Sequence, residues 1–187
     1  MQRILLSFIF LFGFTSQVFA SQLDVTYNVA RGLPILAQGQ SIDTLKPFEG
    51  EFRILSTKSY TNDIQAKFSP IDYAVSWGLF ADPSIAKNIH VRQYDRFLNW
   101  QMNQLPVPPK IAMQMVSNMH IIPANPEIAK QIQRASRGDL IRLTGELVQV
   151  KDGNMVWRSS LTNTDGGEGG CELFRVHSIQ WIEKSNI

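Results

Sequence analysis

The strongest strand signal in this chain has a glycine in its middle. Over residues 140–150 apolar and polar residues alternate, with Ile141, Leu143 and Leu147 on one face and Arg142, Thr144 and Glu146 on the other. Gly145 interrupts the run. A glycine inside a strand marks a bulge or bend, the device by which small barrels turn a sheet back on itself. Lys151-Asp152-Gly153-Asn154 then reads as a hairpin turn, and residues 155–161 return as the partner strand. A glycine-rich loop follows over residues 163–170, and residues 171–183 read as the final strand.

The helical signals are short. Asn125-Pro126-Glu127 caps and opens the clearest one, with Ile128, Ile132 and Ala135 on one stripe, Arg134 and Arg137 in the last turn and Gly138 closing it. Asp82-Pro83 offers a second start, and residues 110–116 a third, after the break at Pro106, Pro108 and Pro109. Ser69-Pro70-Ile71-Asp72 has the same cap chemistry and predicts a short helix ending at Gly78. A strand competes there, because Ile71, Tyr73, Val75 and Trp77 alternate. Residues 90–100 and 119–122 read as extended. Over residues 21–68 the signals are weaker: a short strand at residues 23–27 and another near Phe52-Arg53-Ile54-Leu55, so this part reads as an arm or edge strands.

Residues 1–20 carry one early charge, Arg3, then an apolar run over residues 4–14 and the small-residue ending Val18-Phe19-Ala20. That run is too short to span a bilayer and reads as a secretory signal peptide, with a mature chain starting near Ser21. About 167 residues would remain. With 44% hydrophobic residues over its full 187, the chain suits one domain over residues 69–187, preceded by the arm. Without Arg3 the charges nearly cancel, which argues against nucleic acid as a partner. No second long apolar run occurs, so no membrane span is expected in the mature chain.

Cys171 is the one cysteine in the sequence, so the chain forms no disulfide of its own. It stands where the glycine loop meets the last strand, a place where backbone N–H groups can approach a substrate. Ser117-Asn118-Met119-His120 is a polar cluster inside an apolar passage; His120 is its candidate general base and Asn118 an orienting or oxyanion-side group. Each also has a structural reading: a buried small hydrophobe for the thiol, a satisfied core histidine for His120. The histidines are scattered and make no metal spacing, and Asp165, Glu168 and Glu172 form no EF-hand, so neither metal nor cofactor is expected. Trp77, Tyr94, Trp100 and Trp157 are core residues or, if exposed together, a binding surface.

The order Ser69-Pro70-x-Asp72, Trp77-Gly78, Ser117-Asn118-Met119-His120-Ile121-Ile122-Pro123-Ala124, Gly138-Asp139, Gly145, Trp157-x-Ser159-Ser160-Leu161 and Gly170-Cys171-Glu172-Leu173 resembles a family of uncharacterised exported bacterial proteins, over about residues 69–176. That resemblance implies export and no particular activity. A histidine, a helix, Gly-Asp opening a strand, a hairpin and a late cysteine is also, in part, similar to sortases, transpeptidases with a Cys–His–Arg site on a β-barrel. The resemblance implies Cys171 as nucleophile, His120 as acid/base and Arg175 as oxyanion-side cation. The chain departs from it at Gly169-Gly170-Cys171, where sortases carry Thr-Leu-x-Thr-Cys, and at Arg175, only four residues beyond the thiol.

The expected fold is α+β: a small, strongly bent antiparallel sheet or barrel, OB-like or sortase-like, with two to four short helices. The expected function is a non-enzymatic extracytoplasmic module that binds an envelope component or protein. The alternative is a cysteine-dependent acyl transferase or peptidase using Cys171 and His120.

Overall fold

The computed structural model describes residues 36–162 and 171–185. The signal-peptide reading, the strand at residues 23–27, and Asp165 and Glu168 of the glycine loop lie outside them. Strand β1 (Gln40–Ser59) is twenty residues long, and its length closes the architecture. Its first part pairs with β6 (Leu140–Asp152), from Gln40 opposite Asp152 to Arg53 opposite Leu140. Its last part pairs with β2 (Ile71–Ser76). Strand β2 continues to β5 (Val116–Pro123), then β8 (Glu172–Glu183), then β6, so the hydrogen-bonded order returns to β1 as a ring. Over Gln40–Ser59 the segment read as an arm or edge strands is therefore a strand of the ring, bonded to β6 up to Arg53 and to β2 from Arg53 on.

The sheet is mixed, which corrects the antiparallel expectation: β5 and β8 run parallel. A helix and the β6–β7 hairpin lie between them and return the chain to the end where β5 began, so β8 enters in the same direction. Gly145 sits at a slip in the β6–β8 register, between Thr144 and Gly145. A Cβ there would lie 2.0 Å from the carbonyl oxygen of Arg175, so the bend requires a residue without a side chain.

Alternate residues of the ring strands point inward. Phe52 and Ile54, Tyr73 and Val75, Met119 and Ile121, Leu143 and Leu147, Phe174 and Val176 form one cluster. Ile128 and Ile132 of the helix Pro126–Ile132 cap it, and the Tyr73 hydroxyl donates to the Ile132 carbonyl. Asn125 accepts from the Ile128 N–H at 3.0 Å, as its cap role predicts, but the helix stops at Ile132. Arg134 and Arg137 thus lie beyond its last turn. The Arg137 guanidinium donates to the carbonyls of Leu55 and Ile89, where tertiary acceptors outcompete the helix end. The other helices are Pro83–Ala86, capped by Asp82 accepting from Ser84 N–H, and Pro109–Ala112.

The helix expected after Ser69-Pro70 is a strand, and that expectation is corrected. Ile71, Tyr73 and Val75 fill the ring, and every residue of β2 is buried. Backbone groups between two neighbouring strands find ladder partners on both sides, which a capped turn cannot match.

Two hairpins fold against the outside. Strands β3 (His90–Tyr94) and β4 (Phe97–Gln101) form one, over a cluster containing Leu55, Ala74 and Phe80. Strand β7 (Met155–Arg158) extends β6 as the other, over Phe68, Ile122, Val148, Val150 and Leu173. No helix among the described residues is long and apolar enough to cross a membrane.

Candidate functional site

Between those two outer clusters the face of β2 and β5 turns polar. Alternation that sends Ile71, Tyr73, Met119 and Ile121 inward sends Asp72, Asn118 and His120 outward, and all three are buried. What covers them is the tip of the β3–β4 hairpin on one side and Trp157 on the other. Arg96, at the hairpin turn, donates from one Nη to Asp72 Oδ1 at 2.8 Å and holds Asp63 with Nε at 3.0 Å and the other Nη at 2.8 Å. Its guanidinium lies 3.7 Å from the centre of the Tyr60 ring, and its backbone N–H donates to the Tyr60 hydroxyl. Asn118 donates to Asp72 Oδ2 and to the Arg96 carbonyl, both at 3.1 Å, and accepts from Gln93 Nε2 at 2.8 Å. The asparagine therefore reads both the aspartate and the backbone of the turn.

His120 Nδ1 is 3.0 Å from Asp72 Oδ1 but off the axis of a hydrogen bond, and its ring packs on Trp157 with centroids 4.8 Å apart. A buried aspartate with an arginine, an asparagine amide and an imidazole around it is a paired ion, which is how a charge survives away from water.

Cys171 lies beside this network, one residue before the Met119–Glu172 register pair, close enough for Asn118 to act on its thiol. Burial pushes the thiol up to about 12, the nearby Glu172 and Asp72 carboxylates push in the same direction, and Asn118 only partly opposes them. This is the reverse of an activated cysteine, where positive surroundings favour the thiolate. Arg175 is not brought to the thiol. It crosses to Glu146 on β6 at 3.3 Å, and His177 reaches the same carboxylate.

Of the residues read as a site, the fold thus brings together Asn118, His120 and Cys171 and sends Arg175 elsewhere. Asp72, which the sequence pattern assigns to a helix cap, belongs to the constellation, as do Arg96, Asp63 and Gln93, to which it assigns no role. Asp72 carried a signal, a charge between strand-type apolar residues. Arg96 carried none.

The aromatic residues separate. Trp77 packs edge-on to Phe52 at the ring, Trp100 edge-on to Phe80 under the first hairpin, and Trp157 on His120. Tyr94 is exposed, opposite the exposed Phe97. Among the described residues no group of His, Cys, Asp and Glu is arranged to hold a metal. In comparison with known proteins, no family model matches the chain, and no curated protein or solved structure was found to match it.

Proposed function

We propose that this chain is an exported, non-enzymatic binding module on an OB-type barrel. Export is supported by the pattern of residues 1–20 and implies a mature N-terminus near Ser21. The OB-type reading is supported by the ring itself: its first strand pairs with its second and fourth, its third and fifth run parallel, and a helix joins the third to the fourth.

In such barrels the second and third strands commonly offer the ligand face. Here that face bears Asp72, Asn118 and His120 and is covered by the chain's own hairpin, so recognition moves to the hairpin's other side. His90, Arg92 and Tyr94 stand there opposite Gln101, Asn99 and Phe97, all exposed. Arg92 lies over the Tyr94 ring at 5.5 Å. Paired aromatics with an arginine are the composition of protein-contact hot spots, so the partner in this reading is a protein of the envelope.

The observation that carries the non-enzymatic half is the thiol held near 12 among carboxylates. Iodoacetamide labelling of the folded protein against pH tests it. The expected result is negligible labelling at neutral pH until the protein is unfolded. Rapid labelling at neutral pH that is lost in His120→Ala would establish a thiolate–imidazole pair and overturn the reading in favour of the acyl transferase. The binding half is tested with a photo-reactive phenylalanine analogue at Phe97 or, on the other hairpin, at Val156. A discrete cross-linked protein from the first position alone is expected; equal products from both, or none, would sink it.

A further inference from the structure

At one end of the ring, β1, the end of β2, β5 and the start of β8 enclose a cleft of about 260 Å³. Its walls are Phe48, Phe52, Trp77 and Met119, and Glu172 lines it as well. By the alternation along β8, Glu172 faces inward with Phe174 and Val176, and it is buried. The Ser117 hydroxyl donates to it. A buried carboxylate ordinarily has a cationic partner. Around Glu172 the arginines are spent elsewhere, Arg96 on Asp72 and Asp63 and Arg175 on Glu146, while His120 is turned to Asp72. Among the described residues no cationic side chain lines the cleft, whereas Glu49 and Glu51 do. Burial raises the Glu172 carboxyl above its ordinary value, and the Ser117 hydroxyl, its own backbone N–H and the more distant His120 only partly offset it.

We propose that this cleft is a binding site for a small organic cation, an ammonium group on a short apolar or aryl body, with Glu172 as its counter-ion and the aromatic walls around its body. Phe48, Phe52 and Trp77 pack on one another along the cleft and supply aromatic and apolar area to the body, and a ring face turned to the ammonium would add a cation–π contact. At about 30 Å³ per water-sized group the cleft admits roughly nine non-hydrogen atoms, well below a drug-sized ligand. The site is separate from the hairpin surface, so either can fail while the other stands.

The test is calorimetric titration of the folded protein with phenethylammonium, its neutral isostere 2-phenylethanol and the anion phenylacetate. The ammonium should bind at least tenfold more tightly than either, because a charge-assisted contact to a buried carboxylate is lost in both. Its affinity should strengthen as pH rises beyond the ordinary carboxylate range, while the carboxyl ionises and the amine stays charged. Glu172→Gln should weaken the ammonium at least tenfold and leave the alcohol unchanged. Equal binding of alcohol and ammonium would make the cleft an apolar slot and overturn the proposal, as would an undiminished Glu172→Gln variant or no binding up to millimolar ammonium. If that variant does not fold, the three probes on the unaltered chain decide alone.

Discussion

The two hairpins that flank the barrel both pack on apolar clusters, but their turns are held by different means. The β6–β7 hairpin is a continuation of a ring strand, turns at Gly153 with φ of 57°, and buries Met155 and Trp157 against an apolar cluster. The β3–β4 hairpin turns on Asp95 and Arg96, both in the left-handed region with φ of 45° and 69°, where residues other than glycine are disfavoured by about 1–2 kcal/mol. Arg96 tolerates that conformation because its side chain and backbone are over-determined by Asp63, Asp72, Tyr60 and Asn118. One hairpin is anchored by its turn and by apolar area. The other also packs Val91, Leu98 and Trp100 on an apolar cluster, but its turn spends backbone strain to deliver a guanidinium to a buried carboxylate, and the placement of its tip depends on that ion.

Removing the ion is the sharpest way to break the contrast. Arg96→Met leaves Asp72 buried without its main partner, and urea unfolding should show a loss of about 3–5 kcal/mol. Backbone amides of β3 and β4 should lose hydrogen-exchange protection ahead of β7. An unchanged midpoint would mean that apolar packing alone holds the first hairpin. Next in size is Gly145→Ala. It forces a methyl against the Arg175 carbonyl and should cost about 3 kcal/mol, at the upper end of overpacking effects, by the same unfolding measurement. Because β6 carries the second hairpin, exchange protection should fall there first.

Gly153→Ala meets no neighbouring atom within 4 Å, so only its positive φ matters, and a loss of about 1–2 kcal/mol is expected. A larger loss would show that the second hairpin is strained too. The smallest effect at neutral pH is that of the thiol. With a folded value of about 12 against 9.0, Cys171 stays protonated in the folded state while the unfolded chain ionises. Stability should therefore be fully retained below about pH 9 and fall as pH rises toward about 12. Cys171→Ala should lack that part of the alkaline limb in thermal melts; identical limbs in the two proteins would show the thiol to be solvated.

Much of the fold follows from local chemistry. Alternation at residues 140–150, Gly145 as the bend, the turn at Gly153 and the caps at Asp82 and Asn125 are each statements about a few neighbouring residues, and the structure has all of them. Asn118, His120 and Cys171 were recognisable as candidates for the same reason, as polar groups set in apolar or glycine-rich passages.

What the local pattern did not decide was everything that depends on residues far apart in the chain. Ser69-Pro70 carries sound helix-cap chemistry, yet residues 71–76 are a strand because β1 and β5 supply ladder partners on both sides. Arg96 has no local mark of importance. It acquires one when folding brings Asp72, 24 residues away, into a site where an unpaired carboxylate is untenable. The character of Cys171 is of the same kind. The amino-acid sequence places a lone thiol beside glycines, but whether it is a thiolate depends on burial and on the charges around it. Burial acts first and the neighbouring Glu172 adds to it, while Asp72, and Asn118 opposing them, reach the thiol only through the ring. Local propensity is fixed by neighbours within a few residues. Desolvation and ion pairing act through space, and only the tertiary structure assigns them.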